Sequence, residues 1–187
     1  MTLILATVLN GSAILAADRR ITLTDGEDNF VGYGEGDKLF CVAGCICATH
    51  GGNPPNFNVP DFIRSFQQSP LSAAALSQQI YDGILAIEHR GNFGVIIMGE
   101  GENETELWEI SPQDDFRQII LGAGQLCQRP EFVQIQGESP FQDIAIAESQ
   151  MLSIFRQVSQ LTENVGPPFE LSIFSNGNPQ LVKRYCS

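Results

Sequence analysis

The chain has 187 residues, with 22 acidic and 10 basic side chains and a net charge of −12. This acidic balance argues against nucleic acid and anionic membranes as partners, and no apolar run is long enough to span a bilayer. The length fits one domain with a sizeable core. No cationic segment is followed by an apolar one, so we expect a cytoplasmic protein without a signal peptide.

The first third of the chain is predicted to form antiparallel strands. Residues 3–9 are apolar and β-prone, Asn10-Gly11 is a strong hairpin signal, and residues 12–18 form the returning strand. A second hairpin is predicted to follow, with strands over 21–24 and 30–33.

Residues 39–49 are almost continuously apolar, which predicts one long strand that is buried on both faces. On such a strand Cys41, Cys45 and Cys47 share a face. These three thiols and the nearby His50 suggest a zinc site, but zinc prefers ligands from more than one element. We therefore favour buried cysteines that act as small apolar residues, and we expect no metal.

The rest of the chain alternates helices and strands. The predicted elements are a short helix from Pro60 to Gln68, a longer helix through Ala86 capped by Ser69 or Ser72, a helix within 141–161, and strands over 92–99, 106–110, 119–121, 170–174 and 180–184. This order predicts an α+β fold with two sheets and helices packed outside them. No repeat or linker interrupts it, so we expect a single domain over 1–187.

Thr2 stands directly behind the initiator methionine, and removal of Met1 would give it a free α-amine. The hydroxyl of an N-terminal threonine can attack, while its own amine, with an ordinary pKa of about 7.7–8.0, takes the proton. A nearby ammonium group favours the attacking form, and a carboxylate holds that cation; Lys38 and Asp18 are the candidates. While Met1 is retained, the amine is an amide and the base is lost.

These features resemble those of proteasome β-type subunits and the bacterial HslV peptidase, which are N-terminal nucleophile (Ntn) hydrolases. The resemblance is carried by residues 2–7, 11–20, 38–40 and 51–52. It implies a four-layer αββα sandwich, in which two antiparallel sheets are flanked by helices. It also implies an acyl ester on Thr2 as the intermediate, and no cofactor for the chemistry.

The resemblance gives roles to further residues. Asp18 would orient Lys38 and the N-terminus, and Gly51 or Gly52 would offer a backbone N–H to the oxyanion. Arg20 matches a basic position close behind the acid and would be structural. The residues expected near the specificity pocket are Ile21, Thr49 and His50.

The C-terminal half departs from the pattern of that family. Where the family has Gly-Ser-Gly after a strand, this chain has Gly122-Ala123-Gly124 and lacks the hydroxyl. Thr162 or Glu163 is the candidate to replace a further acid, whereas Val165 cannot replace a further hydroxyl. The family's first long helix, which helps rings to assemble, is interrupted here by Pro54, Pro55, Pro60 and Pro70.

The expected function is that of an HslV-like threonine protease that hydrolyses peptides or unfolded proteins. The family implies a homo-oligomeric ring and an ATPase unfoldase partner, although no segment of this sequence identifies that partner. Two alternatives stay open. One is a non-catalytic assembly or scaffold subunit that retains Met1, motivated by Ala123, Val165 and the interrupted first helix. The other is an Ntn hydrolase of small amides.

Overall fold

A computed structural model describes residues 2–25, 27, 29–54, 57–66, 69–87, 92–111, 115–121, 123–129, 141–179 and 183–186. Within these residues the strands are β1 (Ile4–Leu9), β2 (Ser12–Asp18), β3 (Arg20–Thr24), β4 (Phe30–Glu35), β5 (Leu39–Val42), β6 (Cys45–Gly51), β7 (Phe93–Glu100), β8 (Thr105–Ser111), β9 (Asp115–Ile119), β10 (Leu126–Arg129), β11 (Phe169–Ser175), β12 (Asn178–Pro179) and β13 (Lys183–Tyr185). The helices are α1 (Val59–Arg64), α2 (Ala73–Leu85) and α3 (Ile144–Leu161).

The strands form two large sheets and one separate hairpin. The first sheet has the order β10-β1-β2-β11-β12, and β13 also pairs with β11. The second sheet has the order β5-β6-β7-β8-β9, whereas β3 pairs with β4 and with no other strand of the described residues. These pairings are antiparallel. The predicted turn at Asn10-Gly11 joins β1 to β2, with Gly11 at a φ of +74°.

Three apolar clusters hold the sheets and helices together. One packs α3 against β1, β2 and β11, with the rings of Phe155 and Phe169 stacked 4.9 Å apart. A second packs α1 and α2 against the second sheet and contains Ile80. The third contains residues of both sheets, among them Leu15 and Ile96. The chain is therefore a mixed α and β protein with mostly antiparallel sheets, which confirms the prediction at that level.

Local sequence signals explain where the longer helices begin. The hydroxyl of Ser72 accepts the N–H of Ala75 at 3.2 Å, and the carboxylate of Asp143 accepts the N–H of Ile146 at 2.8 Å. The short helix α1 ends at Arg64, earlier than predicted, and residues 67 and 68 lie outside the described residues. No helix in the described part of the chain combines the length and apolarity that crossing a bilayer would need.

The prediction of one long strand over 39–49 is wrong. The segment folds into β5 and β6, joined by a turn in which Ala43 and Gly44 have φ angles of +50° and +82°. Both strands are largely buried. The apolar run indicates that the segment is buried, but it does not indicate the turn at Ala43 and Gly44.

The shared face predicted for three cysteines is wrong for the same reason. Cys41 of β5 stands opposite Ile46, so its side chain lies on the other face from Cys45 and Cys47 of β6. Burial raises the pKa of Cys45 to about 12 and that of Cys47 well above its ordinary value, so both stay thiols at neutral pH. Among the described residues, no three His, Cys, Asp or Glu side chains are placed to hold a metal ion.

The edge strands of the two sheets were the least well predicted. A strand is predicted over 119–121, but the observed strand β9 lies earlier in the chain and ends at Ile119. The sequence of β10 has no clear apolar periodicity, and this strand was not predicted. It forms because β1 offers a free edge, with Ile4 opposite Arg129 and Thr7 opposite Leu126.

Candidate active site

Asp18 is the last residue of β2 and is fully buried. Its Oδ1 accepts the N–H of Leu3 at 2.8 Å, and its Oδ2 accepts the N–H of Arg20 at 3.2 Å and a proton of Lys38 Nζ at 3.0 Å. A two-residue turn joins β1 to β2, so the start of β1 lies beside the end of β2. The carboxylate therefore anchors both the lysine and the peptide that follows Thr2.

Lys38 lies just before β5, and its side chain is only 6% exposed. Its Nζ donates to Asp18 and also to the backbone carbonyl of Arg20. Burial lowers the pKa of Lys38 against the opposing effect of the carboxylate, and burial raises the pKa of Asp18 against the opposing effect of the ammonium group. Each group therefore depends on the other to remain charged in this desolvated place.

A cavity of about 550 Å³ opens beside this ion pair. It is lined by Thr2, which is 6% exposed, and by Lys38. The other predicted site residues that line it are Arg20, Ile21, Thr49, His50, Gly51 and Gly52. Residues from the start of the chain, from β3 and from β6 thus surround one space, whose volume is in the range of small-ligand sites.

Gly51 and Gly52 differ in the direction of their backbone N–H groups. The N–H of Gly52 donates to the carbonyl of Asn92 at 3.1 Å and belongs to the pairing with β7. Hydrogen bonds of an antiparallel strand alternate sides, so the N–H of Gly51 points away from β7. On that side the N–H of Thr49 meets the carbonyl of Lys38 at 2.9 Å. Of the two predicted oxyanion donors, Gly51 is the one whose N–H faces the lysine.

Alanine at position 51 should destabilise the protein far more than alanine at position 52. Gly51 has a φ of +84°, and a Cβ there would overlap the backbone of Asn92. The left-handed conformation alone costs about 1–2 kcal/mol, so we expect Gly51→Ala to lose at least about 2 kcal/mol. A Cβ on Gly52 meets nothing within 4 Å, and we expect a loss below about 1 kcal/mol. Urea denaturation checks both values, and equal losses would contradict this account.

His50 faces the space between the two sheets at one end of the cavity. Its ring packs on Gly94, where any Cβ would collide with it. No described residue forms a hydrogen bond with its buried Nε2. Burial lowers the pKa of His50, and Arg129 lowers it further while Glu109 opposes them. The imidazole is therefore neutral at physiological pH.

An ion-pair cluster around a buried carboxylate, near this end of the cavity, ties the two sheets together. Glu109 of β8 is 5% exposed and accepts hydrogen bonds from Arg129 of β10 and from Arg117 of β9, each at 2.6 Å. Arg129 pairs with Ile4, and Ile4 lies two residues after Thr2. The cluster therefore holds the start of β1 against the second sheet. These residues were not predicted. Their signal in the sequence is a carboxylate within the otherwise apolar centre of β8.

Arg20 links the site to the segment between α3 and β11. Its Nη1 donates to the carbonyl of Glu163 at 2.7 Å, and its guanidinium group lies closely against Gly166. Thr162 directly follows the last residue of α3, and its hydroxyl accepts the N–H of Asn164 at 3.3 Å. Thr162 and Glu163 are therefore held near the site through Arg20, although the side chain of Glu163 is exposed.

Ala123 lies away from the cavity. The N–H of Gly124 donates to the carbonyl of Val8 at 2.7 Å, at the opposite end of β1 from Thr2. At about 3.3 Å per residue, the stretch from Thr2 to Val8 spans roughly 20 Å. Ala123 instead lines a second cavity of about 250 Å³. β10 runs antiparallel to β1, which places the residues before β10 at that far end; Gly122 is outside the described residues.

No protein-family model matches the sequence, and no curated protein matches it. Solved structures are similar to it over almost its whole length. An Anbu (Gly-1) mutant from Hyphomicrobium sp. strain MC1 has a TM-score of 0.77 and 17% identity, covering 100% of this chain and 88% of that one. Anbu (ancestral beta-subunit) from Yersinia bercovieri has a TM-score of 0.75 and 16% identity, covering 99% and 87%. A helical assembly of the Anbu complex from Pseudomonas aeruginosa has a TM-score of 0.73 and 16% identity, covering 99% and 87%.

The family expected from the motifs, that of proteasome β-type subunits and HslV, is wrong. The structures to which the chain is similar are Anbu proteins, which are proteasome-like in name and form a distinct family. The motifs describe hairpins that bring Thr2, Asp18 and Lys38 to one place, and that arrangement does not separate families that share a fold. At 16–17% identity the similarity shows the fold alone. The chain therefore has the fold of these Anbu structures.

Proposed function

We propose that this protein is a threonine-type amide hydrolase whose nucleophile is Thr2 after removal of Met1. One observation carries the proposal. The buried pair of Asp18 and Lys38 lies beside the cavity that Thr2 lines. The carboxylate of Asp18 also accepts the N–H of Leu3, the residue that follows Thr2, at 2.8 Å. A buried charge pair is costly to desolvate and contributes little net stability. An ammonium group placed near a threonine hydroxyl is what activation of such a nucleophile requires.

In the first half-reaction, Thr2 Oγ1 attacks the amide carbon and its proton passes to the α-amine. The ammonium group of Lys38 stabilises the developing alkoxide, and the N–H of Gly51 stabilises the tetrahedral oxyanion. The C–N bond then breaks, and the leaving amine takes the proton from the α-ammonium group. The products are an acyl ester on Thr2 and a free amine.

In the second half-reaction, water attacks the ester carbon and gives a proton to the α-amine. The ester C–O bond breaks, the hydroxyl of Thr2 regains a proton, and a carboxylic acid leaves. The ester divides one difficult hydrolysis into two easier steps. Asp18 holds Lys38 and the start of β1 in place throughout, and the scheme needs no cofactor.

The proposed substrates are peptides or unfolded proteins, whose side chains would enter the cavity beside Ile21, Thr49 and His50. One solved neighbour is a helical assembly, and on that basis we propose that this chain also forms a homo-oligomer. An ATPase partner is not part of the proposal.

The three apolar clusters support an αββα layering of a single domain over 1–187. In this layering α3 covers the outer face of the first sheet, and α1 and α2 cover the outer face of the second sheet.

Intact-mass spectrometry before and after treatment with a threonine-directed epoxyketone tests the proposal. The expected result is a chain without Met1 that gains one probe adduct, and no adduct in Thr2→Ala. Thr22→Ala is the matched control, because Thr22 lines the same cavity and should leave the adduct intact. A chain that keeps Met1 and gains no adduct would overturn the proposal.

A non-catalytic assembly subunit is the second candidate, and Val165 favours it. Val165 is fully buried in the cluster beneath α3, so this position brings no hydroxyl to the site. Retention of Met1 would select this candidate. A third outcome, an adduct on Thr2 with hydrolysis of small amides and none of peptides, would select an Ntn hydrolase of small amides.

A further inference from the structure

Two ion pairs join the segment around Asp18 to the segment around Lys38. The inner pair is the buried one between Asp18 Oδ2 and Lys38 Nζ, at 3.0 Å. The outer pair joins the residue after Asp18 to the residue before Lys38, with Arg19 Nη1 donating to Asp37 Oδ1 at 2.5 Å. The N–H of Gly36 also donates to the carbonyl of Arg19 at 2.9 Å. Backbone and side chains therefore hold the two segments side by side.

The order of the charges fixes how these two segments are aligned. Both read acid and then base along the chain, as Asp18-Arg19 and as Asp37-Lys38, and they continue into β3 and β4, which are antiparallel. Antiparallel alignment brings each acid to the other segment's base. A shift by one residue would place Asp18 against Asp37 in one direction, and Arg19 against Lys38 in the other. Both are repulsive pairs, so the charges specify one alignment.

The segment that carries Lys38 lies between β4 and β5, outside both, so individual contacts set its position. It comprises residues 36–38. The carboxylate of Asp37 accepts hydrogen bonds from two guanidinium groups, that of Arg19 on Oδ1 and that of Arg64 on Oδ2, the latter at 2.9 Å. Arg64 belongs to α1. The residue before Lys38 is therefore tied to two different parts of the fold.

Arg19 is itself fixed to the first sheet. Its N–H donates to the carbonyl of Pro168 at 3.0 Å, and its Nη1 also donates to the carboxylate of Glu170 in β11 at 2.7 Å. The side chains of Arg19 and Glu170 are 11% and 6% exposed. Burial lowers the pKa of Arg19, but Asp37 and Glu170 outweigh it and hold the pKa above its ordinary value. The guanidinium group therefore stays charged and connects β11 to Asp37.

We propose that Arg19 is a positioning residue: it holds Asp37 and thereby fixes the backbone that carries Lys38. This sets where the ammonium group of Lys38 lies relative to Thr2. The inference rests on the proposed function and adds a residue to its site. Arg19 is not among the described residues that line the cavity, so it acts through Asp37 and not on a substrate. A displacement of about 1 Å in a reacting group can lower a rate by about 100-fold.

A purely structural role is disfavoured by the contacts that remain when Arg19 is replaced. Glu170 keeps Arg184, whose Nη2 lies 2.9 Å from Oε1, and Asp37 keeps Arg64. Neither carboxylate is left without a cation, so Arg19→Met removes the connection between them and should leave a folded chain. The side chain of Asp37 is 50% exposed, and ion pairs of such exposed groups contribute little to the free energy of unfolding.

Steady-state kinetics and intact-mass labelling test the proposal together. In Arg19→Met we expect kcat for a fluorogenic peptide to be about tenfold lower, with KM within about twofold of the wild type. The epoxyketone should still add to every chain, but at a lower rate. A partly unfolded variant would instead label a smaller fraction of chains at the wild-type rate. That result, or an unchanged kcat, would overturn the proposal.

Arg184→Met is the matched control. Arg184 of β13 donates to the same carboxylate, that of Glu170, which is the acid it pairs with among the described residues. Its replacement should leave kcat within about twofold of the wild type. Equal losses in Arg184→Met and Arg19→Met would overturn the route through Asp37. The double variant of Arg19→Met and Asp37→Asn should lose no more than the larger single loss, and a loss equal to the sum would also overturn that route.

A measurement on the lysine itself does not depend on the reaction. The chain has two lysines, and Nζ of the second, Lys183, pairs with Glu148 of α3 at 2.7 Å. In chains labelled at lysine Cε, the two Hε protons of a fixed side chain have different chemical shifts in NMR spectra. We expect this difference to shrink for Lys38 in Arg19→Met, while the Lys183 signals stay unchanged. Unchanged Lys38 signals would overturn the proposal. A wild type that gains no epoxyketone adduct would instead overturn the proposed function and the role of Arg19 in it, so the two failures are told apart.

Discussion

Replacement of Thr2 by alanine should lower kcat/KM for a fluorogenic peptide by on the order of 10⁴-fold or more, as removal of a nucleophile does in other hydrolases. The side chain removed is the attacking group, while Lys38 and the N–H of Gly51 remain and still bind the carbonyl. The measurement uses chains whose loss of Met1 has been verified by mass, because an acylated amine would abolish the reaction by itself.

Thr2→Ser is the control for this prediction. Serine keeps the hydroxyl and the α-amine and loses only a methyl group, so activity should fall by no more than about 100-fold. Activity that survives in Thr2→Ala would show that amide hydrolysis arises elsewhere in the chain, and the proposed mechanism would be abandoned. Activity lost equally in both variants would assign Thr2 a packing role.

Either single break in the pair of Asp18 and Lys38 should cost about 3–5 kcal/mol of the free energy of unfolding, the usual cost of leaving one buried charge unpaired. Lys38→Met leaves a carboxylate that is fully buried, and Asp18→Asn leaves an ammonium group that is 6% exposed. The double variant removes both charges and should recover most of the loss. Urea denaturation of the four proteins measures this. A double variant that loses the sum of both single losses would show that the two groups act independently.

The two single variants should respond to pH in opposite directions. Burial already raises the pKa of Asp18, and without Lys38 it rises further. A carboxylate with a raised folded pKa is destabilising above that pKa, so Lys38→Met should be closer to wild type at about pH 5 than at about pH 8. Burial lowers the pKa of Lys38, so Asp18→Asn should be closer to wild type at about pH 9 than at about pH 6. Parallel responses would contradict the assignment of the unpaired charges.

Much of the site could be predicted from the sequence because its groups are close along the chain or joined by short hairpins. The Asn10-Gly11 turn makes the end of β2 return to the start of β1, which places Asp18 against Leu3. The second hairpin returns the chain from Arg20 to Lys38 over a similarly short distance. The start of α2 could also be predicted, as Ser69 or Ser72, because a cap is a local feature of the backbone; the structure shows that Ser72 is the cap.

Other features were predicted wrongly or missed because they depend on which strands become neighbours. The apolar run 39–49 indicates that the segment is buried. One long buried strand and the two buried strands that form would both give such a run. Ala123 was expected at the site, but the antiparallel register of β10 on β1 places it at the opposite end of the strand. The family was also misjudged, because motifs confined to hairpins do not separate proteins that share a fold.

The sequence by itself determined the first two hairpins, the start of α2 at Ser69 or Ser72, and the three side chains that our proposal places at the centre of the chemistry. Only the tertiary structure decided that Gly51 rather than Gly52 turns its N–H toward Lys38, and that Glu109 meets Arg129 across the two sheets. It also decided that the hairpin of β3 and β4 pairs with no other strand of the described residues. The physical reason is that strand pairing joins residues far apart in the chain, so direction, register and exposure are set by the assembled sheets, whereas apolar periodicity reports only which residues leave water.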